Sequence, residues 1–134
     1  MAVKLETQTI RIIALFEKIT KVHARDCIEM DNCVYFLVDP GKVGLAIGKG
    51  GSVINGVRKA LGKTVKVFGY YDNPEDMVKN LIPGVKNIEL NGGSMVVSIQ
   101  PKERTAAVGR NGANIRAVKE IMNRHFSIKN LKLR

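Results

Sequence analysis

Two stretches of this chain carry the same order of apolar and polar positions. The segment DPGKVGLAIGKGGSVINGV, which begins at Asp39, aligns with QPKERTAAVGRNGANIRAV, which begins at Gln100, when the sequence is shifted by 61 residues. A proline, two glycines and one loop cation coincide in this register, together with several aliphatic positions. Aliphatic positions often coincide by chance, but a proline, two glycines and a cation in one register indicate an internal repeat.

The pattern on either side of this segment predicts the same six elements in each copy, in the order α–β–β–α–α–β. Helical periodicity precedes two strand-like segments in each half, and a short strand follows the second helix of the glycine segment. The predicted fold is therefore α+β, with one domain at 1–71 and a second at 72–134. The join Tyr71-Asp72-Asn73 is too short to act as a free linker, so we expect the two domains to pack as one rigid unit.

Turn and capping residues place the boundaries of these elements. Asp31-Asn32 predicts a two-residue hairpin turn, whereas Asn91-Gly92-Gly93 predicts a three-residue turn and a small offset between the copies. Asn73 followed by Pro74 predicts a helix start, and the first helix is expected at about 5–20. The helices are expected to bury three apolar stripes, formed by Ile10, Ile13, Phe16 and Ile19, by Ile54, Val57 and Leu61, and by Ile115, Val118 and Met122.

The charge of the chain points to a polyanionic partner. The formal net charge is +10, with 22 Lys and Arg against 12 Asp and Glu among 134 residues. Both halves are basic, so the charge does not come from a tail, and nucleic acid is the first candidate partner. Aromatic residues make up only 5% of the chain, so we expect bases to be contacted by aliphatic surface rather than by aromatic stacking.

The sequence offers no constellation of catalytic or metal-binding residues. Cys27 and Cys33 lack the spacing of a zinc site, and His23 and His125 have no matching ligands nearby in the sequence. We therefore expect a non-enzymatic protein with no cofactor and no metal. The N-terminus lacks the apolar core of a signal peptide and no apolar run is long enough to span a membrane, so a cytoplasmic protein with reduced thiols is expected.

Glycine-rich loops next to a lysine often hold phosphate, and two nucleotide-binding motifs were compared with AIGKGGSVI. A P-loop needs four residues between its glycines and a hydroxyl residue after the lysine, but Gly44 and Gly48 are separated by three and Gly50 follows Lys49. The dinucleotide fingerprint needs a glycine or alanine where Val53 stands. Neither motif matches the second copy, so a nucleotide-hydrolysing site is not supported.

Both copies share a helix, a Gly-x-x-Gly loop and a second helix. The start of a helix attracts anions through its backbone N–H groups, and glycines let a phosphodiester backbone approach closely. A tight joint between two helices is the alternative explanation, but two loops with matching cations favour binding. The candidate residues for binding a nucleic-acid backbone are Gly48, Lys49, Gly50 and Gly51 in the first loop and Gly109, Arg110, Asn111 and Gly112 in the second.

Charged residues on the second helices could extend or weaken such a site. Arg58 and Lys59 in the first copy, and Arg116 and Lys119 in the second, could widen a binding surface for nucleic acid, but a solvated helix face is the favoured explanation. The carboxylates near the second loop would repel phosphate if they faced it; they are Glu103 and Glu120.

IGKGGSVI and VGRNGANI resemble the signature of the KH RNA-binding fold, whose Gly-x-x-Gly loop holds about four nucleotides of single strand. The helix and hairpin before each loop resemble the type II topology of that fold. Two such domains in tandem, spanning essentially the whole chain, resemble the archaeal NusA-like family of transcription factors. The resemblance implies that both loops bind single-stranded RNA and that bases lie in an aliphatic groove, which we place near Gly44, Val53 and Val67 in the first domain.

The resemblance also implies a role in transcription elongation, termination or antitermination, with the nascent transcript and the elongation complex as partners and the protein as a monomer. Bacterial members carry a polymerase-binding domain and an S1 domain, for which these 134 residues have no room. The resemblance thus supports RNA binding more than direct polymerase contact. Two alternatives stay open, namely a KH protein of the ribosome or of RNA processing, and a basic scaffold that docks an acidic protein.

Overall fold

The computed structural model describes residues 7–134, and the chain divides into two compact units between Tyr71 and Asp72. Each unit contains three α-helices and one three-stranded sheet. The elements of the first unit are α1 (Thr7–Thr20), β1 (Ala24–Met30), β2 (Cys33–Val38), α2 (Val43–Ile47), α3 (Ser52–Leu61) and β3 (Thr64–Gly69). Those of the second are α4 (Pro74–Leu81), β4 (Val85–Asn91), β5 (Ser94–Ile99), α5 (Arg104–Val108), α6 (Ala113–Phe126) and β6 (Asn130–Leu133).

The predicted α+β class and the order α–β–β–α–α–β are confirmed in both units. Short 3-10 turns precede and follow the first helix of each glycine segment, at Pro40–Lys42, Lys49–Gly51, Pro101–Glu103 and Arg110–Gly112. The first two residues of the predicted first helix, Leu5 and Glu6, lie outside the described residues.

The central strand of each sheet has one antiparallel and one parallel neighbour. β2 pairs with β1 through the Asp31-Asn32 turn, and Met30 lies opposite Cys33 as the two-residue turn predicts. β3 pairs with β2 in parallel because the α2–α3 segment carries the chain back across the sheet between them. The same irregularity in strand pairing occurs after Ala24 and after Val85, so the repeat extends to the local defect in the hairpin.

The second hairpin corrects the predicted turn. Asn91 is the last residue of β4 and lies opposite Ser94, so the turn contains only Gly92 and Gly93. Both hairpins therefore have two-residue turns, and no offset arises between the copies at this point. The offset occurs later, because α6 has 14 residues whereas α3 has 10, and the last strand begins at Asn130.

The core of the first unit lies between its helices and one face of its sheet. The rings of Phe16 on α1 and Phe36 on β2 stack with centroids 4.0 Å apart, and both side chains are fully buried. The buried face of α1 is centred on Ile12, Phe16 and Thr20, with Ile13 and Ile19 packed at its edge. The predicted stripe was wrong at Ile10, which is 52% exposed, because the buried face runs along Ile12, Phe16 and Thr20.

The longer helix α6 shows a similar shift of its buried face. Val118 and Met122 are buried as predicted, but Ile115 is only partly buried, and the polar Asn114 is buried in its place. The Asn114 amide donates to the carbonyl of Ala107 at 2.9 Å, which satisfies the polar group inside the unit. Among residues 7–134, no helix is both long enough and apolar enough to cross a membrane.

The start of α4 confirms the predicted cap. The Asn73 side chain accepts hydrogen bonds from the backbone N–H groups of Glu75 at 2.8 Å and Asp76 at 3.1 Å, and Pro74 occupies the first helical turn. These N–H groups have no partner within the helix, so the side chain stabilises the helix start.

Substituting Asn73→Ala should lower the free energy of unfolding of the protein by about 1 kcal/mol, because two N–H groups lose their acceptor. Urea denaturation followed by circular dichroism measures this loss. Asn73→Asp is the matched control and should be close to neutral, since its carboxylate accepts the same bonds. Equal stability of the alanine variant and the native protein would show that the cap does not stabilise the helix.

Candidate nucleic-acid interface

The first glycine loop closes one helix and starts the next within four residues. Gly48 ends α2, where its N–H donates to the carbonyl of Gly44 at 2.9 Å, and it adopts φ 77° and ψ 167°. A Cβ atom at this position would lie 2.6 Å from Cγ2 and 2.8 Å from the backbone nitrogen of Val53. Both the conformation and the lack of space therefore require glycine at Gly48.

The second loop repeats this geometry with different residues. Gly109 adopts φ 77° and ψ 175°, and a Cβ atom there would lie 2.7 Å from Cβ and 2.9 Å from the nitrogen of Asn114. Asn111 takes the place of Gly50, and the two residues share the left-handed conformation, with φ of 56° and 62°. Asparagine is one of the few non-glycine residues that tolerate this region, so the substitution preserves the backbone path.

Some backbone N–H groups of each loop form hydrogen bonds to carbonyls of the same loop. Gly51 donates to the carbonyl of Gly48, and Gly112 donates to the carbonyl of Gly109, both at 3.1 Å. The nitrogen of Ser52, the first residue of α3, donates to the carbonyl of Lys49. These donors are therefore paired within the protein, because the 3-10 turn supplies their acceptors, and they are not among the N–H groups that a helix start offers to an anion.

The middle of each loop is open to solvent. Lys49 and Gly50 are exposed in the first loop, and Arg110 and Asn111 are exposed in the second. Among the described residues, no atom outside the chain neighbours and the backbone of its own turn lies within 4 Å of the position that a Cβ atom would occupy at Gly50. Each loop thus presents one cation and an uncovered stretch of backbone in front of a helix start, which suits an extended anion.

Arg58 and Arg116, to which the sequence assigned the same possible role, form different hydrogen bonds in the structure. Arg58 on α3 donates to Oδ1 of Asn55 at 2.9 Å and to the carbonyl of Val65 at 3.1 Å, so it fastens the helix to β3. Arg116 on α6 donates to the carbonyls of Asn111 at 3.0 Å and Gly112 at 3.3 Å. Arg116 is therefore a functional candidate whose role the sequence did not show, although its position four residues after Gly112 allows this contact.

Aliphatic surface lies beside the first loop, both near the residues that the sequence predicted and at two further residues. Gly44 is exposed, and Val53 and Val67 are half-buried. The more exposed apolar side chains are Leu45 at 60% and Ile47 at 37%, which the sequence interpretation missed. The short helix α2 buries Ala46 and leaves Leu45 and Ile47 on its outer side, so apolar surface lies beside the loop.

The two acidic residues near the second loop, Glu103 and Glu120, contact other residues of the second unit. Glu120 on α6 pairs with Arg124 one turn further on at 3.3 Å. The aliphatic part of the Glu103 side chain packs against the backbone of Gly84. The carboxylate of Glu120 is therefore paired within its own helix, whereas the contact at Glu103 involves the aliphatic part of the side chain.

The candidates for metal binding and catalysis, among them His23 and Cys33, have surroundings that are typical of non-catalytic residues. Among residues 7–134, no group of three or more His, Cys, Asp and Glu side chains could hold a metal ion. Nδ1 of His23 lies 2.8 Å from Oε2 of Glu17 at an exposed position. Burial raises the pKa of the Cys33 thiol, although a hydrogen bond with Tyr35 and the charges of Lys66 and Arg58 offset part of the rise, so this thiol is protonated at neutral pH.

Comparisons with known proteins agree with this geometry. The sequence profile of the KH domain matches residues 10–89, which is more than half of the chain. The "Probable transcription termination protein NusA" of Methanocaldococcus jannaschii is 34% identical, with 98% of this chain and 75% of that protein aligned. The protein of the same name from Halobacterium salinarum strain R1 is 30% identical, with 99% of each chain aligned.

A solved structure gives the same result. The crystal structure of APE1850 has a TM-score of 0.80 and 34% sequence identity, and the match covers 97% of this chain and 100% of that one. The chain therefore belongs to the KH domain family, in its NusA-like branch.

Gly48→Ala should lower the free energy of unfolding by about 3 kcal/mol, because it combines a disfavoured conformation with a clash against the backbone of α3. Gly50→Ala should cost only about 1 kcal/mol, since the same region of φ is strained there but space is open. Thermal and urea denaturation of both variants measures the difference. Equal losses would contradict the distinction between a steric and a purely conformational requirement.

Proposed function

We propose that this protein is a single-stranded RNA-binding transcription factor that holds the RNA backbone at both Gly-x-x-Gly loops. The observation that carries the proposal is the repeated loop geometry, in which matching backbone angles present one exposed cation in each copy, Lys49 and Arg110. The KH profile and the NusA-like relatives support RNA binding and transcription as the general function.

The chemistry of the loops favours a polymer over a nucleotide. A nucleotide-hydrolysing site would need a metal-binding hydroxyl after Lys49, where the chain has Gly50. An RNA backbone needs only repeated phosphate sites, open space and positive charge, all of which the loops provide. We therefore assign the backbone-binding role to residues 48–51 and 109–112, with no catalytic step and no cofactor.

The specific role that we propose is in transcription elongation or termination, with the nascent transcript as the RNA and the elongation complex as a further partner. This part of the proposal is supported by the names of the relatives, which describe transcription termination proteins. We propose that the protein acts as a monomer, since each domain has its own complete loop and needs no residue from a second copy.

We further propose that the two domains move as one rigid unit, and this proposal rests on the short join between them. Only four residues separate the end of β3 at Gly69 from the start of α4 at Pro74. Backbone nitrogen-15 relaxation should give one rotational correlation time for both domains. Two different correlation times would contradict rigidity without affecting the assignment of the loops.

Changing Lys49 and Gly50 to Asp, together with Arg110 and Asn111 to Asp, should reduce single-stranded RNA binding at least about 100-fold while the fold persists. Phosphate is then repelled at both loops, and aspartate tolerates the left-handed conformation of Gly50 and Asn111. Fluorescence anisotropy with a labelled single-stranded RNA measures the affinity, and circular dichroism checks the fold.

A matched control separates the loops from overall charge. Changing Lys18, Lys79 and Lys86 to Asp alters the net charge by the same amount at exposed positions outside the loops and their helices. This control should weaken binding far less than the loop variant. Unchanged affinity in the folded loop variant, or an equal loss in the control, would show that the loops do not bind the RNA. A native protein that binds an acidic protein but no RNA would favour the scaffold alternative.

A further inference from the structure

The two loops have almost the same backbone but carry different chemistry. Gly48 and Gly109 have ψ of 167° and 175° at the same φ of 77°, and Gly51 and Gly112 have φ of 79° and 73°. Because the scaffold is equivalent, differences in binding between the two sites must come from the side chains around them.

The first loop is bordered by apolar side chains. Leu45 is 60% exposed and Ile47 is 37% exposed, both on the helix that leads into the loop. Residues 40–55 contain two lysines, no arginine and no acid. The surroundings of this loop therefore combine modest charge with a solvent-facing aliphatic surface, which is the type of surface that base faces contact.

The second loop is bordered by arginines and small side chains. Ala106 and Val108 occupy the positions of Leu45 and Ile47, so the aliphatic surface is smaller. Residues 101–116 contain one lysine and three arginines against one glutamate, Glu103, whose side chain packs on Gly84. The three arginines, all exposed, are Arg104, Arg110 and Arg116.

The position of Arg116 strengthens this difference. Its guanidinium lies against the loop itself, donating to the carbonyls of Asn111 and Gly112. It therefore holds the left-handed turn in place and adds positive charge next to the exposed backbone. The neutral Asn55 is its counterpart in the first copy and accepts a hydrogen bond from Arg58, whose guanidinium also donates to the carbonyl of Val65 on β3.

We propose that the two sites have different roles in RNA recognition. The first discriminates between bases through Leu45 and Ile47, and the second binds phosphates through its arginines. This inference rests on the proposed function. Arginine presents a planar fork that matches phosphate, and a contact to phosphate carries no information on base identity. Aliphatic surface contributes no charge attraction, and its contact depends on the shape and exocyclic groups of each base.

The first test measures each site in the full-length protein while the other is disabled. The variant Lys49→Asp/Gly50→Asp leaves the second site, and Arg110→Asp/Asn111→Asp leaves the first. Affinity for short homopolymers of adenylate, cytidylate and uridylate is measured over a range of salt concentrations. The protein with only the second site should show the steeper salt dependence, by at least about 0.7 in the slope of log affinity against log salt, which corresponds to one phosphate contact.

The second test exchanges the apolar residues between the copies. Leu45→Ala/Ile47→Val gives the first site the residues of the second, and Ala106→Leu/Val108→Ile does the reverse. Each set of residues is already accommodated by the same backbone in the other copy, so both variants should fold. The first exchange should reduce the affinity ratio between the best and worst homopolymer by about tenfold, because aliphatic contact area is lost. The second exchange should raise that ratio.

The outcomes distinguish this inference from the proposed function. Equal salt slopes for the two single-site proteins, or an unchanged homopolymer ratio after the first exchange, would overturn the division of roles while leaving RNA binding intact. A native protein that binds none of the homopolymers would overturn the proposed function itself. A steeper slope for the second site together with loss of discrimination in the first exchange would support the inference.

Discussion

The backbone approach at Gly48 and Gly109 is the constraint on which both domains depend. The position of a Cβ atom at Gly48 lies 2.8 Å from the nitrogen of Val53, and at Gly109 it lies 2.9 Å from the nitrogen of Asn114. Only glycine lets the chain reverse this tightly between two helices. The reversal packs the helices side by side, carries the chain back to a parallel strand on β2 or β5, and leaves the middle of the loop exposed.

Once this reversal is fixed, the rest of each site depends on side chains that do not affect the fold. Asn111 has the same left-handed conformation as Gly50. Arg116 donates a hydrogen bond to the carbonyl of Asn111, whereas its counterpart Asn55 accepts one from Arg58. The duplicated domain could therefore change its charge and its aliphatic surface without changing its backbone. A tandem arrangement then gives one chain two loops with the same backbone path and different surrounding side chains, which a single domain cannot provide.

Much of the fold could be predicted because it depends on interactions local in sequence. The Asp31-Asn32 turn and the Asn73 cap act within a few residues, and the structure contains both. One error occurs where a surface distant in sequence decides which side chains are buried. Ile10 fits the helical period of α1 but is 52% exposed, since the position of the sheet selects which face is buried. The turn at Gly92-Gly93 was predicted one residue too long, because strand pairing at Asn91 and Ser94 took the residue into the sheet.

The sequence by itself determined the repeat, the order of elements and the eight residues of the two Gly-x-x-Gly loops, since glycine spacing and periodicity act along the chain. Only the tertiary structure decided which cations belong to the loops. Arg58 and Arg116 both follow a glycine loop on the next helix, yet one contacts the carbonyl of Val65 and the other contacts the carbonyls of Asn111 and Gly112. A long flexible side chain can reach several acceptors, and only the packed helices, strands and loops determine which acceptor lies within reach.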